Sequence, residues 1–206
     1  MKRVFALIAL CAICATSLAQ SSATDIIKRR RSIRNYTTKP VEHATLQKIA
    51  EYGLLAPNAR NLQEWEIRIV ESQEWLERCT NAFINQMKSK PGGNHTPAAG
   101  FRNMFRNASA VIFVAAKPDG KHDFSGVNIG MLSQNIMLAA TEMGLGTCFL
   151  GSPLIFLNEN NPEGSKFLAE LGFSEGYTLR GAIAIGYADE TPKPQQRDMS
   201  KIKFVK

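Results

Sequence analysis

Two continuous apolar runs constrain the fold of this chain more than any other feature. Ala110–Ala116 and Arg180–Tyr187 consist mainly of aliphatic, alanine and glycine residues. A strand without alternating polar positions must be covered on both faces, so both runs predict interior strands of a sheet. Trp65–Val70 alternates in polarity and predicts a half-buried strand, and Thr147–Leu150 predicts a short fourth strand.

Helical patterns separate these strands. The clearest covers Glu42–Leu55, where Leu46, Ile49 and Gly53 recur at helical spacing. Helices that flank a sheet make an α+β fold, so we expect a central mixed β-sheet flanked by helices in a single domain over residues 20–206. The five predicted helices are Thr24–Arg31, Glu42–Leu55, Glu74–Met87, Ser125–Met143 and Glu163–Leu171.

The first 19 residues have the pattern of a secretory signal peptide. Basic residues precede the apolar run Val4–Leu18, and small residues at Ser17 and Ala19 match a cleavage site. The run is about 15 residues long, whereas a membrane-spanning helix needs roughly 20. We therefore predict cleavage after Ala19, no stable membrane span in the mature chain, and an exported protein of the periplasm or cell envelope. A retained N-terminal anchor is the alternative.

The formal net charge of +7 does not by itself identify a partner. The basic residues are scattered without a helix-turn-helix, zinc-finger or aromatic RNA-binding pattern, so we predict no nucleic-acid partner. An anionic small molecule or a membrane surface fits the charge equally well. Cys148 lies in an apolar run and predicts a buried free thiol, and the three histidines share no metal-ligand spacing, so we predict no metal site.

A basic stretch, Lys28–Asn35, is the first candidate site, and we call it the arginine segment. It contains four arginines, one lysine and a serine. In an extended chain Arg30, Ser32 and Arg34 point the same way and could converge on one phosphate, which arginine binds with a rigid fork of donors. A solvated basic turn is the alternative interpretation, and composition alone favours neither.

A second stretch, Ala56–Trp65, carries amide side chains between a helix and a strand, and we call it the amide loop. Its Asn58, Asn61 and Gln63 could bind a ligand, or Asn61 could cap the turn before the strand. The sequence has no G-x-G-x-x-G motif after a strand, no Walker A motif and no G-x-S-x-G elbow. The absence of these motifs favours an enzyme that uses a cofactor for its chemistry.

These two stretches carry a family resemblance. The basic run at 30–34 is followed by Tyr36, a Pro-Val pair and an amphipathic helix, and then by Ala56-Pro57-x-x-x-Asn61-x-Gln63-x-Trp65. This order resembles the nitroreductase family of flavin enzymes, and the resemblance covers essentially everything after residue 24.

The resemblance implies FMN as the cofactor. Arg30, Arg31 and Ser32 would hold its phosphate and ribityl chain, and Arg34 would lie near the pyrimidine edge, where positive charge stabilises the reduced ring. In the family the amide loop comes from a second subunit, which implies a homodimer, and we expect the C-terminal tail to lie along the partner. The implied cofactor-binding residues are Arg30, Arg31, Ser32, Arg34, Asn58, Asn61, Gln63, Leu150, Gly151 and Arg197.

The resemblance further implies an enzyme of the NAD(P)H-dependent nitroreductase type. It would move a hydride from NADH or NADPH through the flavin to a nitroaromatic, quinone or similar flat electrophile in ping-pong fashion. No side chain need act as a general acid, because solvent could protonate the product. The alternative is an exported, non-catalytic protein that binds a flavin or a similar anionic ligand, and a weaker alternative is a protein that binds cell-surface polyanions.

Overall fold

A computed structural model describes residues 22–89, 98–118 and 123–206, and the predicted leader lies outside this part of the chain. Within it, one sheet has four strands in the order β1-β2-β4-β3, and every neighbouring pair is antiparallel. The strands are β1 Trp65–Val70, β2 Ala110–Ala116, β3 Gly146–Leu150 and β4 Thr178–Gly186.

Helices surround this sheet, and two of them are packed closely together. A Cβ atom added at Gly53 would lie 2.6 Å from Cγ1 of Ile136, so the glycine allows the second helix to approach the fourth. The helices are α1 Ala23–Arg29, α2 His43–Leu54, α3 Gln73–Ser89, α4 Ser125–Glu142, α5 Ser152–Phe156 and α6 Gly164–Glu170.

Two apolar clusters cover the two faces of the sheet, because successive side chains of a strand point to opposite sides. Phe113 of β2 joins one cluster, where its ring centroid lies 5.8 Å from that of Trp75 on α3 in an edge contact. Its neighbour Ile112 joins the other cluster, together with Leu46 of α2 and Leu132 of α4. All of β2 is buried, which confirms the prediction of an interior strand.

The sequence predicts most of these elements correctly. All four strands and all five helices are confirmed to within about two residues, which is the usual disagreement at element ends. The α+β class is also confirmed. The four strands of the sheet pair only in antiparallel fashion, and parallel pairing among the described residues occurs in the isolated bridge between Ser32 and Thr147. Helix α5 was not predicted, because Gly151-Ser152-Pro153 has the composition of a turn.

Other predictions concern the thiols and the tail. Cys79 and Cys148 are both free and buried, as the sequence predicts for Cys148. After β4 the chain continues as an extended tail whose apolar side chains are exposed. Phe204 is 91% exposed and Val205 is 98% exposed. Contact of this tail with a partner subunit stays a prediction. No helix among the described residues has the length and apolar character needed to cross a bilayer.

Candidate functional site

The arginine segment is anchored to the free edge of the sheet. It follows α1, and Ser32 forms a parallel bridge with Thr147 of β3 while the Ile33 amide donates to the Thr147 carbonyl at 2.9 Å. Ile33 is buried against Gly146, where an added Cβ would lie 2.7 Å from its Cγ1. The burial of this one apolar side chain therefore fixes the position of the basic residues around it.

The four arginines of the segment have different environments. Arg30 is half-buried, and Arg34 is exposed with its Nη1 donating to the Ser32 carbonyl at 3.2 Å. The Arg31 guanidinium instead turns back to the end of α1, where its Nη1 donates to the carbonyls of Lys28 and Arg30, the latter at 2.9 Å. Arg29 forms an ion pair with Glu142 at 3.3 Å. The structure thus uses Arg31 to satisfy helix-terminal carbonyls, a role that the sequence does not predict.

The beginning of the tail pairs with the end of the arginine segment. Tyr36 bridges to Ala188, and the Asp189 amide donates to the Asn35 carbonyl at 2.9 Å. The Tyr36 hydroxyl donates to the Ile33 carbonyl at 2.7 Å, and burial raises the pKa of this tyrosine far above its usual value. These contacts hold Glu190 beside the arginines, in a cavity of about 530 Å³.

The end of β3 presents an aromatic ring beside this segment. Phe149 is 42% exposed, whereas the other four residues of the strand are buried. The buried Thr147 hydroxyl has no hydrogen-bond partner in the structure. Leu150 is buried, so only its backbone is available to a ligand, and a Cβ added at the exposed Gly151 would meet no atom within 4 Å. Phe149 is a candidate that sequence analysis missed, because its strand reads as uniformly apolar.

The amide loop is held in an unusual backbone conformation. Arg60, Asn61 and Gln63 all have φ near +54°, a region that non-glycine residues rarely occupy and that is enriched at functional sites. The Asn58 side chain accepts a hydrogen bond from the Gln63 amide at 2.9 Å. Asn58 therefore stabilises the loop, whereas Asn61 and Gln63 remain exposed and available to a ligand.

Contacts to α4 fix the amide loop in place. The Asn128 side chain accepts from the Ala59 amide at 3.1 Å. Around the loop lies an exposed apolar surface formed by the end of α2, the loop itself and the beginning of α4. We call it the apolar face, and it comprises Tyr52, Leu54, Leu55, Leu62, Phe124 and Val127.

Within one chain the arginine segment and the amide loop lie at opposite corners of the sheet. Thr147 of β3 pairs with Ile185 of β4, which pairs with Ala110 at the start of β2. Trp65 of β1 pairs with Ala116, six residues further along β2. Edge strands β3 and β1 are also three strand spacings apart. At about 3.3 Å per residue and 4.8 Å per strand, the two stretches are separated by roughly 25 Å. The structure therefore does not bring the two predicted halves of the site together in one protomer.

The remaining predicted residue, Arg197, lies in the exposed tail shortly before a 3-10 turn at Met199–Lys201. The parts of the chain that the structure describes contain no group of three or more histidine, cysteine or acidic side chains able to hold a metal ion.

Residues 27–187 match the family profile described as the nitroreductase family. The chain belongs to this family. The resemblance that the arginine segment and the amide loop carry is thereby confirmed. This nitroreductase-family protein is 31% identical over 166 residues to a protein of Archaeoglobus fulgidus to which an NADH dehydrogenase or NAD(P)H nitroreductase activity is ascribed. That alignment covers 79% of this chain and 83% of the relative.

Solved nitroreductase structures share the fold. A nitroreductase with bound FMN from Desulfitobacterium hafniense has a TM-score of 0.74 at 26% identity, and the match covers 89% of this chain and 98% of that one. An FMN-dependent nitroreductase from Clostridium difficile has a TM-score of 0.64 at 28% identity, covering 88% of this chain and 98% of that one.

Proposed function

We propose that this nitroreductase-family protein is an FMN-dependent oxidoreductase that uses NADH or NADPH to reduce flat electrophiles such as nitroaromatics and quinones. One observation carries the proposal: the arginine segment lies against the strand that exposes Phe149, so an anionic group and a flat ring can be bound side by side. The relative named for NAD(P)H nitroreductase activity and the neighbour with bound FMN support it.

The residues at this edge fit FMN. The unpartnered Thr147 hydroxyl lies beside Ser32, and Arg30 is half-buried next to them, which is a suitable donor set for a phosphate and a polyol chain. The open space at Gly151, next to Leu150, allows a ring to approach the main chain there. FMN, when bound here, supplies hydride transfer.

The protein's own contribution is binding, orientation and charge. Arg34 places a cation near the ring, which favours the form that carries more negative charge. Phe149 offers an apolar surface to a flat ligand, because its ring is exposed beside Gly151. Both residues are open to solvent, so one face can receive the nicotinamide donor and then the acceptor in turn, and water can supply the proton to the product.

We further propose that the protein acts as a homodimer in which the amide loop of one chain completes the site of the other. The separation of roughly 25 Å within one chain supports this, because no FMN-sized ligand at Arg30 extends to Asn61 of the same chain. The apolar face around the amide loop fits a subunit contact, since large exposed apolar patches mark interaction surfaces. The exposed tail with Arg197 would then extend onto the partner and add a cation near the phosphate.

The decisive experiment is an anaerobic titration of the purified protein with NADH and NADPH. We expect a yellow protein whose flavin absorbance disappears on addition of the nicotinamide and returns when a nitroaromatic or a quinone is added. A yellow protein that keeps its colour would instead indicate a carrier of flavin. A colourless protein that cannot be loaded with FMN would contradict the proposal.

We also propose that residues 1–19 are a cleaved signal peptide and that the mature domain begins at Gln20 in the periplasm or cell envelope. N-terminal sequencing of protein recovered from that compartment checks this directly. A mature chain that begins at Gln20 is the expected result, and an intact leader on protein from the cytoplasm would contradict it.

A further inference from the structure

We propose that the Glu190 carboxylate competes with the phosphate of FMN for the arginine segment and so weakens cofactor binding. This inference rests on the proposed function, because it concerns how the same site binds its ligand. It assigns a role to a residue that neither the motifs of the sequence nor the family resemblance single out.

The backbone positions Glu190 firmly. The bridge between Tyr36 and Ala188 sets an antiparallel register that places Glu190 opposite Arg34. Two contacts reinforce this register, because Asn35 Nδ2 donates to the carbonyl and to the carboxylate of Asp189, at 3.4 Å and 3.3 Å. Glu190 is therefore held by main-chain pairing, although its side chain is exposed.

The carboxylate of Glu190 is hydrogen-bonded to the backbone of the arginine segment. Its Oε1 accepts a hydrogen bond from the Arg34 amide. It also lines the same cavity as Arg30 and Arg31, so its negative charge lies among the basic residues of the arginine segment. A phosphate that binds in this cavity needs the same positive field and meets a like charge, and repulsion between like charges is unfavourable.

The competition should depend on the phosphate. Riboflavin has the same ring and polyol chain as FMN but no phosphate, so it does not meet the Glu190 carboxylate as a like charge. Removing that negative charge should therefore tighten FMN binding and leave riboflavin binding unchanged. This difference separates a charge effect from a general change in the shape of the site.

The test compares Glu190→Gln with the unmodified protein by quenching of FMN and riboflavin fluorescence at moderate salt. We expect the Kd for FMN to fall about tenfold, since the two charges of the phosphate each interact with the exposed Glu190 carboxylate. The Kd for riboflavin should change less than twofold. Glu159→Gln is the matched control, because it removes the same charge from the connection between α5 and α6, outside the cavity that Glu190 lines.

The outcomes separate this inference from the proposed function. If the unmodified protein binds neither flavin, the proposed function fails and this inference fails with it. If the unmodified protein binds FMN but Glu190→Gln binds it equally tightly or more weakly, the proposed function stands and the inference is overturned. An equal gain in affinity for riboflavin in Glu190→Gln, or an equal gain in affinity for FMN in Glu159→Gln, would also overturn the inference.

Discussion

The ring of Phe149 lies directly over the backbone of Gly181. A Cβ atom added at Gly181 would be 2.8 Å from Cε2 of Phe149 and 2.8 Å from Cγ2 of Val114. Contacts this short require the neighbours to move, so the absence of a side chain at Gly181 leaves room for the Phe149 ring. The position of the proposed stacking surface thus depends on a residue in the next strand.

Gly181→Ala should therefore destabilise the protein by about 1–3 kcal/mol, the usual cost of overpacking a close contact. Urea unfolding measures this change in free energy. Gly126→Ala is the control, because an added Cβ there meets nothing within 4 Å and alanine is the better helix former. Equal stability of the Gly181 variant and the unmodified protein would show that the contact is not tight.

Phe149→Ala should raise the KM for a nitroaromatic acceptor by about two- to tenfold, because an aromatic pair contributes roughly 0.5–1.5 kcal/mol beyond its buried area. Phe149→Trp should keep the KM close to that of the unmodified protein, since it preserves the aromatic surface. Steady-state kinetics with quinone and nitroaromatic acceptors check this. A loss of kcat at unchanged KM would argue against a stacking role.

Arg34→Ala should retain FMN but lower its two-electron reduction potential by roughly 30 mV, which corresponds to about 1.4 kcal/mol of lost charge stabilisation. Arg34→Lys keeps the charge and should stay near the original potential. Equilibrium titration against a redox dye reports the potential without any turnover. An unchanged potential in the flavin-loaded alanine variant would refute the role proposed for this arginine.

Val127→Asp should disrupt the proposed dimer and reduce bound FMN, because it places a charge in the apolar face. Ile155→Asp is a matched control, since Ile155 is 77% exposed on α5 and Val127 is 58% exposed on α4. Light scattering after size-exclusion chromatography gives the mass, and absorbance gives the flavin content. A monomer in the unmodified protein, or a Val127→Asp variant that remains a dimer, would exclude this surface as the interface.

Burial raises the pKa of the Cys79 thiol to about 12 from a reference value of 9.0. Its neutral form is therefore favoured in the folded state, so its contribution to stability is complete below pH 9 and is lost as the pH rises from 9 towards 12. The titration of one thiol changes the slope of the free energy of unfolding against pH by at most about 1.4 kcal/mol per pH unit.

The expected result is that the free energy of unfolding falls less steeply above pH 9 in Cys79→Ala than in the unmodified protein. Only the slope tests the titration, because the alanine variant also loses packing at all pH values. Chemical unfolding at several alkaline pH values provides the comparison, and parallel slopes would disprove the effect.

Much of the fold could be predicted because hydrophobic pattern is local information. Ala110–Ala116 has no polar position, so burial on both faces follows from the residues alone. Helix α5 could not be predicted, since Pro153 is compatible both with a turn and with the first turn of a helix.

The candidate site was harder to predict because it depends on register between distant segments. The run of basic residues identifies the arginine segment. The hydrogen bonds from the Arg31 guanidinium to carbonyls at the end of α1 are visible only in the structure. The role of Glu190 depends on the pairing of residues 35 and 36 with 188 and 189. Neither relationship leaves a periodic signal in the sequence.

The placement of the arginine segment and the amide loop at opposite corners of one sheet bears on the biogenesis of the protein. If the amide loop of one chain completes the site of the other, as we propose, a newly folded single copy carries two unfinished halves that belong to two different binding sites. Cofactor insertion would then follow subunit assembly. For a chain that is exported unfolded, FMN would have to be acquired at the destination, after two copies have met there.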